Sequence, residues 1–236
     1  MRIQLAVLAA LAASVLPVAA VAQEHCRLAL VLALDVSSSV DAEEYVLQRD
    51  GLAAALDDPT IRSAILEGPG YVSIAIYEWS GRRQSTMVRD WVALTDGAAI
   101  DDLIATLTSS PRSHTRFPTA MGYALGYGAT LLARGPECDR QVIDVSGDGE
   151  NNDGFPPRLA YKNFPFANVT VNGLAVLGSA PEVIDYFQRE VRYGFGAFVE
   201  TSLGYQGYRE AMTRKLFREL NDRILSALPV DQDRPG

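Results

Sequence analysis

The sequence predicts an α/β fold: a doubly wound, mostly parallel central sheet with helices on both faces and one antiparallel edge strand. Three observations predict it. Leu28 to Leu34 is a continuous apolar run that meets Asp35, the mark of a strand buried on both faces. Strand-like runs then alternate with segments of helical spacing, the order of a sheet built by crossovers. Two polar segments, Asp35–Ser39 and Ser146–Asn152, directly follow strand patterns. In such sheets ligands bind at the carboxyl ends of the strands.

The elements follow in order. Residues 1–22 read as a secretory signal peptide, with Arg2 as the positive start, Leu5–Leu16 as the apolar core and Ala20-Val21-Ala22 before a cut at Gln23. The alternative is an uncleaved anchor, against which Pro17 and the small residues count. Residues 23–228 read as one domain and 229–236 as a flexible tail. No later apolar run approaches the ~20 residues of a spanning helix, so the mature chain carries no expected membrane span.

Asp41–Leu56 has helical spacing, with Tyr45, Leu52 and Leu56 on one side, and Asp57-Asp58-Pro59 is read as its stop. Tyr71–Trp79 is a strand. Ser80–Arg83 is a turn, and Ser85–Trp91 alternates as a returning edge strand. Ala98–Leu107 is a short helix, Ser109–Pro118 a polar loop and Thr119–Ala133 a small-residue helix. Arg140–Val145 and Asn168–Leu177 are strands, Pro181–Val191 a helix, Ala197–Glu200 a last strand. Tyr208–Leu228 is amphipathic, with Met212, Leu216, Leu220 and Ile224 on one stripe.

The chain has 21 basic and 29 acidic residues, a net charge of −8. That balance offers no basic stripe, which argues against nucleic acid as a general partner and against a polybasic membrane-surface mode. Export, to the periplasm or beyond the cell, places the two cysteines where they can pair. Cys26 lies 9 residues before Asp35 and Cys138 lies 10 before Asp148, so both sit at the same end of their strands. If those strands are neighbours, a spacing of about 4.8 Å suits a disulfide. The alternative is two free thiols.

Three polar groups collect at the expected carboxyl edge: Asp35, Ser37 and Ser39; Thr119; and Asp148. Two carboxylates and three hydroxyls are hard oxygen donors, suited to Mg²⁺, Mn²⁺ or Ca²⁺. Each also has a bland reading. Asp35, Ser37 or Ser39 could cap the following helix, Thr119 could cap its own, and Asp148 could be a turn residue. Asp144, a carboxylate inside an apolar strand, reads as a buried hydrogen-bonded group.

Asp-x-Ser-x-Ser after one strand, Thr119-x-x-Gly-x-Ala-Leu after a loop, and Asp148-Gly149 after a second strand together resemble the von Willebrand factor A (vWA) domain. The resemblance covers roughly residues 26–227. Val142–Gly149 and Gly194–Val199 are most similar to bacterial exported proteins of a domain-of-unknown-function group. The resemblance implies a metal-ion-dependent adhesion site (MIDAS). Ser37, Ser39 and Thr119 would bind the ion through hydroxyls, and Asp35 and Asp148 mainly through water. A partner's acidic side chain would complete the shell, with Mg²⁺ as the first choice of ion. Two departures bear on this: Gly147 stands where that family usually has Thr, and Thr115 competes with Thr119.

The expected function is therefore an exported binding module that captures a protein and is not an enzyme. The alternatives are a scaffold with a vestigial site, or a metal-dependent hydrolase. Against enzymes, Ser37 stands where an aspartyl-nucleophile phosphatase carries its second acid. The chain also lacks the nucleophile elbow and both phosphate-binding glycine motifs.

Overall fold

The structure, a computed structural model, describes residues 25–178 and 182–226. The signal-peptide reading, Pro181, the end of the last helix and the tail lie outside the described residues. Six strands form one sheet: β1 (Cys26–Asp35), β2 (Tyr71–Trp79), β3 (Ser85–Leu94), β4 (Gln141–Gly147), β5 (Val169–Leu177) and β6 (Val199–Leu203). Their order is β3-β2-β1-β4-β5-β6, parallel throughout except for β3, which pairs antiparallel with β2. The helices are α1 (Ala42–Leu56), α2 (Pro59–Leu66), α3 (Gly97–Ser109), α4 (Met121–Ala133), α5 (Pro157–Asn163), α6 (Val183–Tyr186) and α7 (Tyr208–Ser226). A π-helical turn, Phe187–Val191, extends α6.

Side chains along β1 split the core. Leu28, Leu30, Leu32 and Leu34 face α1, α2, α3 and α7. Ala29, Val31 and Ala33 face the layer of α4, α5 and α6. Small residues on that second face let α4 lie close. At Gly122 an added Cβ would sit 2.6 Å from the Phe155 ring, so only glycine fits there.

Several expectations shift. Asp58 and Pro59 start α2 as well as ending α1: the Asp58 side chain accepts from Thr60 N, and Pro59 occupies the first helical position. Helix α4 begins at Met121, and Thr119 makes no side-chain cap. Helix α5, with Pro156 as its N-cap and Pro157 as its first residue, lies in a stretch that carries no expected element. The last strand runs two to three residues later than Ala197–Glu200.

Cys26 and Cys138 form a disulfide, with Cα atoms 4.6 Å apart. It ties the start of β1 to the segment leading into its neighbour β4. Beyond β1 the connections run to β2 on one side and β4 on the other, so the carboxyl ends of β1 and β4 flank a topological switch point.

Candidate functional site

Asp35 ends β1, and its side chain is fully buried. Its Oδ1 accepts from Ser37 N at 2.7 Å, which shapes the turn Val36–Val40. That turn does not cap α1. Asp41 does so, accepting from Glu43 N and Glu44 N at 2.8 Å, while Glu44 accepts from Asp41 N at 2.8 Å. This reciprocal box satisfies the helix end and leaves the serine side chains for each other. Arg112, from the loop before α4, holds the turn from outside. It donates to the carbonyls of Val36, Ser37 and Val40 at 3.1, 3.0 and 2.7 Å.

The expected residues converge. Thr119 Oγ1 donates to Ser37 Oγ at 3.3 Å. Ser37 Oγ lies 3.1 Å from Ser39 Oγ, and Ser39 Oγ donates to Asp148 Oδ1 at 2.8 Å. Hydroxyl hydrogens thus run in one direction onto the Asp148 carboxylate. Asp35, Ser37 and Thr119 are buried, Asp148 is half-buried and Ser39 is exposed, so the cluster opens to solvent on one side. Thr119 is placed by the loop after β4: Asn152 Oδ1 accepts from Thr119 N at 2.9 Å, and Asn152 N donates to Thr119 O at 3.0 Å. Thr115 is exposed, and among the described residues it makes no hydrogen bond to these hydroxyls.

Asp35 Oδ2 is buried and has no hydrogen-bond partner among the described residues. Burial first, and the nearby Asp148 second, raise the Asp35 carboxyl from 3.8 to about 7. Burial also raises Asp148, against the pull of the Ser39 bond. Two acids that resist ionisation, one with an orphaned oxygen, fit a hard cation that would relieve both. Among the described residues no group of three or more His, Cys, Asp or Glu assembles. Any metal here would be held by this mixed set of carboxylates and hydroxyls. Gly147 borders the orphaned oxygen: a Cβ there would stand 3.0 Å from Asp35 Oδ2.

Sequence reasoning missed the supports. Gln48, fully buried on α1, donates to the Asp35 carbonyl at 2.9 Å and accepts from Ser146 Oγ at 3.1 Å. Tyr208 OH in turn donates to Ser146 Oγ at 3.1 Å, joining the site to the start of α7. Asp144 is held by an ion pair where the sequence reading expected hydrogen bonds, and its Oδ1 has no hydrogen-bond partner among the described residues. Lys215 Nζ of α7 lies 2.7 Å from Asp144 Oδ2 and 2.7 Å from Glu219 Oε1, all three side chains being buried. His114 turns away onto β3, its Nε2 3.1 Å from Thr86 Oγ1.

A family model described as "Protein of unknown function (DUF1194)" matches residues 25–224. No curated protein matches the chain. Solved structures share the fold at low identity. A von Willebrand factor type A structure from Catenulispora acidiphila is 14% identical, with a TM-score of 0.58, over 84% of this chain and 43% of that one. The proximal thread matrix protein 1 of the mussel byssus, in a structure described as having a zinc-occupied MIDAS motif, is 16% identical. Its TM-score is 0.58, over 85% of this chain and 47% of that one. The PilB minor pilin of Streptococcus sanguinis is 12% identical, with a TM-score of 0.63, over 88% of this chain and 64% of that one. The chain thus spans less than half the length of the first two. Among the described residues no helix is long and apolar enough to cross a membrane.

Proposed function

Since the chain belongs to the family described as "Protein of unknown function (DUF1194)" and has a vWA-like fold, we propose that it is an exported, non-enzymatic binding module. It captures a protein partner through a divalent cation held by Asp35, Ser37, Ser39, Thr119 and Asp148. One observation carries this reading. Five hard oxygen donors meet at the switch point with an orphaned buried carboxylate oxygen, and among the described residues no cationic side chain bonds either carboxylate. A site with few direct anions keeps its ion electrophilic. A partner's carboxylate then gains by replacing a water on the solvent side, where Ser39 and Asp148 lie. The preferred ion is Mg²⁺, with Mn²⁺ and Ca²⁺ as alternatives. The disulfide supports export to an oxidising compartment, and the likeness of fold to a minor pilin is in keeping with protein capture.

Thermal and urea unfolding of the chelator-stripped protein, titrated with each ion, test the reading. An ion that binds only the folded state stabilises it by about 2.7 kcal/mol at a hundredfold excess over its Kd. The effect is expected in wild type and lost in Asp148→Ala. A wild type indifferent to all three ions would replace the reading with that of a scaffold binding through other surfaces.

A further inference from the structure

The rim of the site is not uniform. On one side Glu44 and Asp148 line a cavity of about 590 Å³ with Val176, Leu177 and Leu203. On the other side the β2–β3 turn meets the loop before α4. Ser38 N donates to Phe117 O at 2.9 Å and Ala120 N to Ser80 O at 2.8 Å. At Gly81 the turn passes so close that a Cβ would lie 3.2 Å from Phe117 Cβ. This fixes Arg83, in the turn, and Arg116, beside Phe117, on the same shoulder of the Ser37–Ser39 loop. Both arginines are exposed, and neither has an ion-pair partner among the described residues. Their neighbours are otherwise engaged: Arg82 is taken by Asp153 at 2.6 Å, and Arg112 is spent on backbone carbonyls. Phe117 itself is 37% exposed.

We propose that Arg83, Arg116 and Phe117 form a second contact surface for the partner, which is a protein segment with at least two acidic side chains. This rests on the metal-bridged reading above. One carboxylate completes the cation's shell, and another lies over the two arginines with its neighbouring residue against Phe117. Arginine and exposed aromatic side chains are the residue types enriched in protein interfaces. Their unpaired positive charge complements the same kind of partner that the cation selects. The Glu44 side of the rim repels it, so the segment runs from the site toward the β2–β3 turn. A nucleic acid fits less well. Two arginines supply few phosphate contacts, and the chain as a whole carries a net charge of −8.

The test uses an immobilised oligoglutamate peptide in Mg²⁺, with surface kinetics read at several salt concentrations. Rim charges act mainly on association. Arg83→Ala with Arg116→Ala is therefore expected to slow association about fivefold and to flatten its salt dependence, leaving dissociation within about twofold. Arg83→Lys with Arg116→Lys keeps the charge and restores most of the rate. Asp148→Ala instead speeds dissociation and removes the Mg²⁺ dependence. Both arginines are exposed, so unfolding midpoints should match wild type. Unchanged association in the double alanine variant overturns the proposal. So does absence of wild-type capture in Mg²⁺, or stronger capture of oligothymidylate through the same arginines. Arginine-dependent capture that ignores Mg²⁺ and chelator upholds the rim while overturning the metal reading.

Discussion

Two pairs of acids, one fully buried and one with a half-buried member, lie within this fold, and they are neutralised differently. Asp144 on β4 and Glu219 on α7 share Lys215, whose Nζ is 2.7 Å from each. Asn172 Nδ2 also donates to Glu219 Oε1 at 2.8 Å. Asp35 and Asp148 have no lysine between them; they have Ser37, Ser39 and Thr119. Burying an ion is tolerated when it is paired and hydrogen-bonded. The first cluster carries its cation on the chain and is closed to solvent. The second offers only neutral donors and opens outward. A resident ammonium makes a structural tie between sheet and last helix. Its absence, with oxygen ligands already gathered, makes a place for a cation from outside.

Removing the resident cation is the most severe way to test that contrast. Lys215→Met strands Asp144 and Glu219 in the core and is expected to cost about 3–5 kcal/mol in urea unfolding. If the variant folds, its response to Mg²⁺ should persist, because no bond joins Lys215 to the hydroxyl cluster. A variant as stable as wild type would mean that the two clusters are not distinguished by their cations.

Proton linkage is the next largest effect. Asp35 is raised from 3.8 to about 7, chiefly by burial, and burial also raises Asp144, against the pull of Lys215. The folded state therefore holds protons that the unfolded chain has released. Stability of the metal-free protein should fall as pH rises between those two values, by about 4 kcal/mol from Asp35 alone, and then level off. Saturating Mg²⁺ should cancel the Asp35 part, since the cation favours the ionised acid. It should leave the Asp144 part, which Asp144→Asn removes. Unfolding midpoints across that pH window, with and without Mg²⁺, separate the two contributions. A Mg²⁺-insensitive slope would break the distinction.

The hydroxyl and carboxylate set was legible because each member sits in a local pattern. Asp35 ends an apolar run, Asp148 precedes a glycine after another, and Thr119 opens a helix-like stretch. Even so, the capping readings competed on equal terms. They fail because Asp41 and Glu44, whose spacing of three is itself a capping-box pattern, already satisfy α1, and because Thr119 makes no side-chain cap on α4. The supports were not legible. Gln48 is a polar residue on the buried face of α1, and Arg112 one cation among several in a polar loop. Each acquires its role from a carbonyl or hydroxyl supplied by a distant segment. Asp144 was visible as an anomaly, yet its partners lie on α7 and no spacing rule connects them. Helix α2 was lost because Asp58-Pro59 ends one helix and starts the next with the same two residues.

Gln48 provides a gentler test of where the two regions meet. It bridges the Asp35 carbonyl to Ser146, which receives Tyr208 of α7. Gln48→Ala leaves buried polar atoms unpaired and should cost about 1–3 kcal/mol. It should also weaken Mg²⁺ stabilisation, because Asp35 loses its backbone anchor. If stability falls while Mg²⁺ stabilisation is unchanged, Gln48 serves packing alone.

The smallest expected effect, and the most local, is at Gly147. A methyl there would stand 3.0 Å from Asp35 Oδ2 and 3.6 Å from Phe187 Cζ and Trp79 Cζ2. The backbone allows it, since Gly147 does not have a positive φ. The strain is limited to a few tenths of an ångström, so Gly147→Ala should cost about 1 kcal/mol or less in the metal-free protein. Its electrostatic consequence is larger than its steric one. The methyl screens the orphaned oxygen further and disfavours the ionised carboxylate that a cation needs, so Mg²⁺ stabilisation should shrink. Gly147→Ser adds similar bulk but also a hydroxyl beside Oδ2. A bond to the ionised acid should lower its pKa relative to the alanine variant and recover part of the Mg²⁺ response. Equal Mg²⁺ titrations for both variants would show that Asp35 Oδ2 does not take part in holding the ion. The contrast between the two acid pairs would then rest on Asp148 and the hydroxyls.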